Sequence, residues 1–253
     1  MTFCLGISLE EGLVGIADTR VTSGTECITA KKVSVYHQER GAMFVMTSGL
    51  RSLRDKTLTY FEEALAGQPE PFDRVFKAVN LFTQQVRQVA LEDKNPLLES
   101  GLDFNIHALI GGQLGNDTQH RLYLVYPEGN WVATGIASPY HIIGSTRYGK
   151  PVLDRALTHT DSMQHAFKVG CLAFDSTRIS AADVGFPIDV VLYRRGSFHI
   201  IEHRYRERDL RQISNWWQER IRMAVQELPS DWLEELFSKV YPAAETRAPA
   251  AAE

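Results

Sequence analysis

Apolar residues in this chain recur at two periods, in separate blocks, and the order of those blocks limits the fold more than any single motif. Phe3, Leu5, Ile7 and Leu9 share one face of an extended run, with Cys4, Gly6 and Ser8 on the other. That is the two-residue period of a strand. Glu10, Glu11 and Gly12 make a turn, and LVGIAD runs back as a second strand ending near Asp18. A hairpin returns the chain to its starting edge, so Thr2 and Asp18 are expected side by side.

The stretch TRVTSGTECITA reads as a loop, followed by the strand-like runs KKVSVY and GAMFVMTSG with a turn from Gln38 to Gly41. After Gly49 the period lengthens to about 3.6, that of a helix. Leu50, Leu53, Phe61 and Leu65 mark a first helix; Phe72, Val75, Phe76, Val79, Phe82, Val86 and Val89 mark a second, with Pro69 and Pro71 ahead of it. From Asn105 the runs NIHALIGG, RLYLVYP, NWVATG and HIIGS read as strands; GGQLG, at 111–115, lacks the GK[ST] of a phosphate loop and reads as a turn. Helices are expected at Pro151 to Leu157 and Ser162 to Phe174, then a hairpin of IDVVLYR and SFHIIEH across Arg195 and Gly196. DLRQISNWWQERIRMAVQEL and SDWLEELFSKV close the chain as helices, and the tail 242–253 is expected to be disordered. Two sheets with helices outside them describe an α+β sandwich, a single domain over 1–241 with a helical extension from about residue 207.

A length of 253 residues, 44% hydrophobic and 23% charged, is ordinary for a globular protein. The net charge of -4 makes no electrostatic case for nucleic acid or an anionic membrane surface. No window nears the roughly 18 apolar residues of a membrane span, and no secretory signal is apparent. Cys4, Cys27 and Cys171 are odd in number and far apart, which suits free thiols in a reducing compartment; the chain reads as cytoplasmic.

Met1 stands before a small residue, the kind of N-terminus from which methionine is trimmed, and its loss would give Thr2 a free α-amine. A threonine hydroxyl needs a base to become a nucleophile, and an α-amine with a pKa of roughly 7.7 to 8.0 supplies one within the same residue. A cation beside the amine lowers its pKa further, and either Lys31 or Lys32 stands at the head of KKVSVY. Asp18 would hold that cation. The backbone N–H of Gly49, where strand gives way to helix, suits an oxyanion.

With those residues in place, TFCLGISLEEGLVGIADTR, then KKVSVY, then FVMTSGL before a long helix resemble the start of a proteasome β-type subunit, in particular the bacterial ancestral-β-subunit family, Anbu, and are similar to HslV. The resemblance implies a four-layer αββα sandwich of the N-terminal-nucleophile hydrolase type. It also implies Thr2 as nucleophile, Asp18 as its acidic partner, Lys32 as the cation, Gly49 as the oxyanion glycine and Ser145, in IIGSTRYG, as the serine beside the threonine amine. The family's Asp-x-x-Ser-Gly is altered: ISAADVG has Ala181 where the acid would stand, with Asp183 two positions later in a supporting role.

The resemblance further implies a peptide or amide substrate, no metal or cofactor, and a homo-oligomer, ring or spiral, with an unfoldase partner undetermined. A noncatalytic subunit that keeps Met1, and a small-molecule amidohydrolase of the same fold, are the competing readings. Neither nucleic acid nor membrane is an expected partner. His107, His120, His141, His199 and His203 read as half-exposed sheet residues rather than ligands. Trp216 and Trp217 point about 100 degrees apart on a helix, which leans toward an oligomer contact.

Overall fold

The computed structural model describes residues 2–23 and 26–240, without the side chain of Ser23; Met1 and the tail 242–253 lie outside the described residues. Contacts divide the chain into a unit of residues 1–211 and a second of 212–253.

The first unit holds two five-stranded sheets. β1 (Phe3–Ser8) and β2 (Gly12–Asp18) form the expected hairpin, flanked by β10 (Tyr140–Gly144) on one side and by β11 (Ile188–Arg194) and β12 (Ile200–Tyr205) on the other. The second sheet runs β5 (Val33–Gln38), β6 (Gly41–Gly49), β7 (Ile106–Leu114), β8 (Arg121–Val125) and β9 (Trp131–Ala133). Every pairing is antiparallel. Helices α1 (Arg51–Ala66) and α2 (Val75–Glu99) follow β6, and α3 (Lys150–Ala156) and α4 (Met163–Ser180) follow β10.

Strand alternation sorts the core into three clusters. Phe3, Leu5 and Ile7 pack with Leu153, Val169 and Phe174 of α3 and α4. Met43, Val45 and Ile110 pack with Leu53, Phe61 and Phe82 of α1 and α2. Between them, Cys4, Leu13 and Tyr193 of the first sheet meet Phe44, Met46 and Leu109 of the second. Cys4 thus faces away from Phe3 and Leu5, as its place in the alternation requires. Its burial pushes the thiol well above its ordinary range, so it is not a thiolate nucleophile.

Three expectations are corrected. The stretch read as a loop carries a separate hairpin, β3 (Arg20–Ser23) with β4 (Glu26–Thr29), in register Arg20 with Thr29. β4 is exposed throughout, so this ribbon has no core face to impose an apolar period. GGQLG, read as a turn, has Gly111 to Leu114 inside β7, where a Cβ at Gly111 would lie 2.5 Å from the Phe44 ring. His120 is neither half-exposed nor in a strand: it is buried, with Nε2 2.7 Å from the Leu9 carbonyl.

The second unit contains most of α5 (Glu207–Gln226) and all of α6 (Glu234–Val240). Trp216 and Trp217 stack with ring centroids 6.4 Å apart, and Arg220 lies over Trp216. Among the described residues no helix is long and apolar enough to cross a membrane.

Candidate active site

Strand registers carry four distant segments to one edge. Phe3 pairs with Gly144, and the Ser145 N–H bonds the Thr2 carbonyl at 2.7 Å. That bond flanks the Phe3–Gly144 pair, which is therefore a non-hydrogen-bonded pair. The Phe3 N–H is accordingly turned from β10 toward β2, beyond the last register pair, Cys4 with Ala17. It donates there to Asp18 Oδ1 at 2.9 Å.

Asp18 closes β2 opposite Ile188 and is wholly buried. Oδ1 also accepts from Lys32 Nζ at 2.6 Å, while Oδ2 accepts the N–H groups of Arg20 at 3.2 Å and Gly185 at 3.4 Å. Burial pushes the carboxyl above its ordinary range; Lys32 and the donors of Phe3 and Gly185 pull against that rise. The two lysines of KKVSVY divide sharply. Lys32 is 3% exposed, its Nζ bonded also to the Arg20 carbonyl at 2.6 Å, whereas Lys31 is half-exposed and paired with Glu202.

Gly49 ends β6 with φ of 122°. A Cβ there would lie 1.9 Å from the Asn105 carbonyl oxygen, so no other residue fits. The Leu50 N–H bonds Asn105 at 3.1 Å, which makes Gly49 with Ile106 another non-hydrogen-bonded pair. The Gly49 N–H consequently faces away from β7, on the side where β5 has already ended.

Thr2, Lys32, Gly49 and Gly144 line one cavity of about 700 Å³, with Thr47, Ser48, Arg51, Arg54, Asn105 and His107 among its other walls. The structure thus brings together Thr2, Asp18, Lys32 and Gly49. Ser145 is buried and bonded to Thr2 through its backbone without lining the cavity. Asp183 sits on the turn after α4, two residues before the Gly185 donor, and is likewise not a wall residue. Ala181 is the buried C-cap of α4.

Sequence reasoning placed only Thr2, Lys32 and Gly49 among the walls and missed the others, Gly144, His107 and Arg54 among them. Gly144, with φ of 88°, admits Thr2 because a Cβ would fall 2.0 Å from the Thr2 carbonyl oxygen; the glycine ahead of Ser145 in IIGST was the available signal. His107 and Arg54 gave none, since they reach the cavity only through the β6–β7 pairing and the first turns of α1. Among the described residues no group of three or more His, Cys, Asp or Glu could hold a metal ion.

The fold is of the α+β, proteasome-like type. Among solved structures the chain resembles Anbu, the ancestral β-subunit. It is similar to a variant Anbu from a Hyphomicrobium species, at 29% identity over 90% of this chain and 98% of that one with a TM-score of 0.83. It is also similar to Anbu from Yersinia bercovieri, at 27% identity over 90% and 97% with a TM-score of 0.82. A third likeness is to a structure described as the helical assembly of the Anbu complex from Pseudomonas aeruginosa, at 26% identity over 90% and 97% with a TM-score of 0.84. No protein-family model and no curated protein sequence matches the chain.

Proposed function

We propose that the chain is an N-terminal threonine peptidase or amide hydrolase, an αββα sandwich of the N-terminal-nucleophile type acting inside a homo-oligomer. The observation that carries the reading is the Asp18 carboxylate, which joins the Lys32 ammonium and the Phe3 N–H one residue from Thr2 on the wall of a cavity. A buried ion pair costs desolvation and is weak evidence for stability alone. Beside a nucleophile its chemical use is plain.

Removal of Met1 gives Thr2 an α-amine, which the nearby Lys32 ammonium keeps neutral by opposing a second positive charge. The Thr2 hydroxyl attacks the substrate carbonyl carbon as the amine takes its proton. The carbonyl oxygen gains the electron pair, and the Gly49 N–H donates to it; losing one such donor typically costs about 2.7 to 4 kcal/mol. When the tetrahedral centre collapses, the C–N bond breaks and the amine's proton passes to the leaving nitrogen, which leaves an ester on Thr2. Water then gives a proton to the same amine, attacks the ester carbonyl and frees the acid and the hydroxyl. Ser145 would steady the amine, and Asp183 would support the network through the turn that carries Gly185.

Assembly is supported by the helical complex described for the Pseudomonas protein. It is supported too by the exposure of Trp216, Ile221 and Val225 on α5, apolar surface suited to another copy. The experiment is peptide hydrolysis by the native protein and by Thr2→Ala: the variant should assemble and lose turnover, and substantial residual hydrolysis would exclude Thr2 as nucleophile.

A further inference from the structure

Among the described residues, the walls of the Thr2 cavity include Arg20, Lys32, Arg51 and Arg54 and no Asp or Glu. Their charges are not equally available. Lys32 is paired with Asp18 and lies on the Thr2 side of the cavity, and the Arg20 guanidinium keeps its charge but directs Nη1 to the Ala182 carbonyl at 2.8 Å. Arg51 and Arg54 share a single carboxylate, Asp55: Arg54 donates from Nε at 2.9 Å and Nη2 at 2.8 Å, and Arg51 from Nε at 3.2 Å. Two guanidiniums against one carboxylate leave an excess positive charge. Arg54 is 8% exposed, and its bonds to described residues leave Nη1 unused.

A second observation lies beside it. Thr47 is a cavity wall with a buried hydroxyl that has no partner among the described residues. In the alternation of β6 it falls on the face of Met43 and Val45, which pack against α1 and α2, and so on the side of Arg54. An orphaned buried hydroxyl costs free energy that a ligand can recover.

We infer that this subsite, between Thr47 and the first turns of α1, takes an acidic side chain, and that the substrates are peptides with Asp or Glu at the residue whose carbonyl Thr2 attacks. The inference rests on the hydrolase reading above. With the carbonyl oxygen on the Gly49 N–H, the side chain of that residue meets the wall continuing from Gly49 through Arg51 to Arg54. Arginine is suited to this task because its planar fork binds a carboxylate at two points.

The test uses full-length protein with Thr2 exposed and a peptide-amide series identical except for Glu, Asp, Leu or Arg at that residue. A charge-assisted contact in a shielded pocket should raise kcat/KM for Glu or Asp about tenfold or more over Leu, and further over Arg. Arg54→Gln should shrink the acidic-to-neutral ratio to about twofold. Arg51→Gln, at a more exposed position on the same helix, should reduce it in the same direction and covers the case in which the Arg54 variant does not fold. Cleavage with Leu or Arg preferred, or a ratio unmoved by both variants, overturns the acidic subsite and leaves the hydrolase reading standing. Failure to cleave any member, with no peptide-epoxyketone adduct on Thr2, overturns both.

Discussion

Asp18 Oδ1 lies 2.6 Å from Lys32 Nζ, and neither side chain is more than 2% exposed. The same oxygen accepts the Phe3 N–H, so the pair is tied to the residue after Thr2 and not only to itself. That link separates a working pair from a merely structural one, because the two roles respond differently to paired substitution.

Asp18→Asn leaves the Lys32 ammonium buried without its anion. A loss of about 3 kcal/mol or more is expected in denaturant unfolding, the usual result of breaking a buried pair from one side. Adding Lys32→Met removes the stranded charge and should recover much of that stability. Peptide hydrolysis should stay at least about 100-fold down in both variants, the scale of a proton transfer whose base, the Thr2 amine, is no longer held and tuned by the pair. Activity restored in the double variant would make the pair structural.

Lys31 and Lys32 are adjacent in sequence and opposite in setting. Lys32→Ala should reduce kcat/KM about 100-fold or more, since the charge beside the Thr2 amine is gone. Lys31→Ala removes an exposed pair with Glu202, worth about 0 to 1 kcal/mol, and should leave kcat/KM within about twofold. Parallel kinetics on the two variants check the order; the reverse order would put the cation at the wrong lysine.

Gly49→Ala sets a Cβ against the Asn105 carbonyl at a φ that side chains rarely adopt. Strain of this kind costs about 1 to 3 kcal/mol before the clash is counted. The melting temperature should fall. Hydrolysis should fall further than stability explains, because the strand end that aims the Gly49 N–H must move. Unchanged kcat/KM in a folded variant would remove Gly49 from the oxyanion role.

Glu92 on α2 accepts from Lys56 at 2.7 Å, from Gln88 at 2.6 Å and from Tyr60 at 3.1 Å. The Lys56 bond first, then that of Gln88, hold its carboxyl at about 2 against an ordinary 4.5. A carboxyl depressed by folding binds its proton more readily when unfolded, so its contribution is present above 4.5 and is lost as pH falls toward about 2. Urea midpoints should drop between pH 5 and pH 3, and Glu92→Gln should flatten that slope slightly, as suits a surface group. A steeper slope in the variant would reverse the assignment.

The sheets and helices were legible where burial imposes a period, as in Phe3 to Leu9 or Val75 to Val89. The hairpin of β3 and β4 was not, because exposed Glu26 to Thr29 answer to no core. Within the site, Thr2 and Asp18 could be set at one edge from the hairpin alone. The choice between Lys31 and Lys32 could not be made from spacing, since it depends on which side chain turns inward at the head of β5. Gly144, His107 and Arg54 reach the cavity by pairings and packing between segments far apart in the chain, which no local pattern encodes.

The central claim is a free, nucleophilic Thr2. Its most direct measurement is the intact mass of the purified protein before and after incubation with a peptide epoxyketone, which needs both the hydroxyl and the α-amine of an N-terminal threonine. The account predicts a chain lacking Met1 that gains one adduct. A chain that retains Met1 and gains none would contradict it and leave a noncatalytic subunit of the same fold.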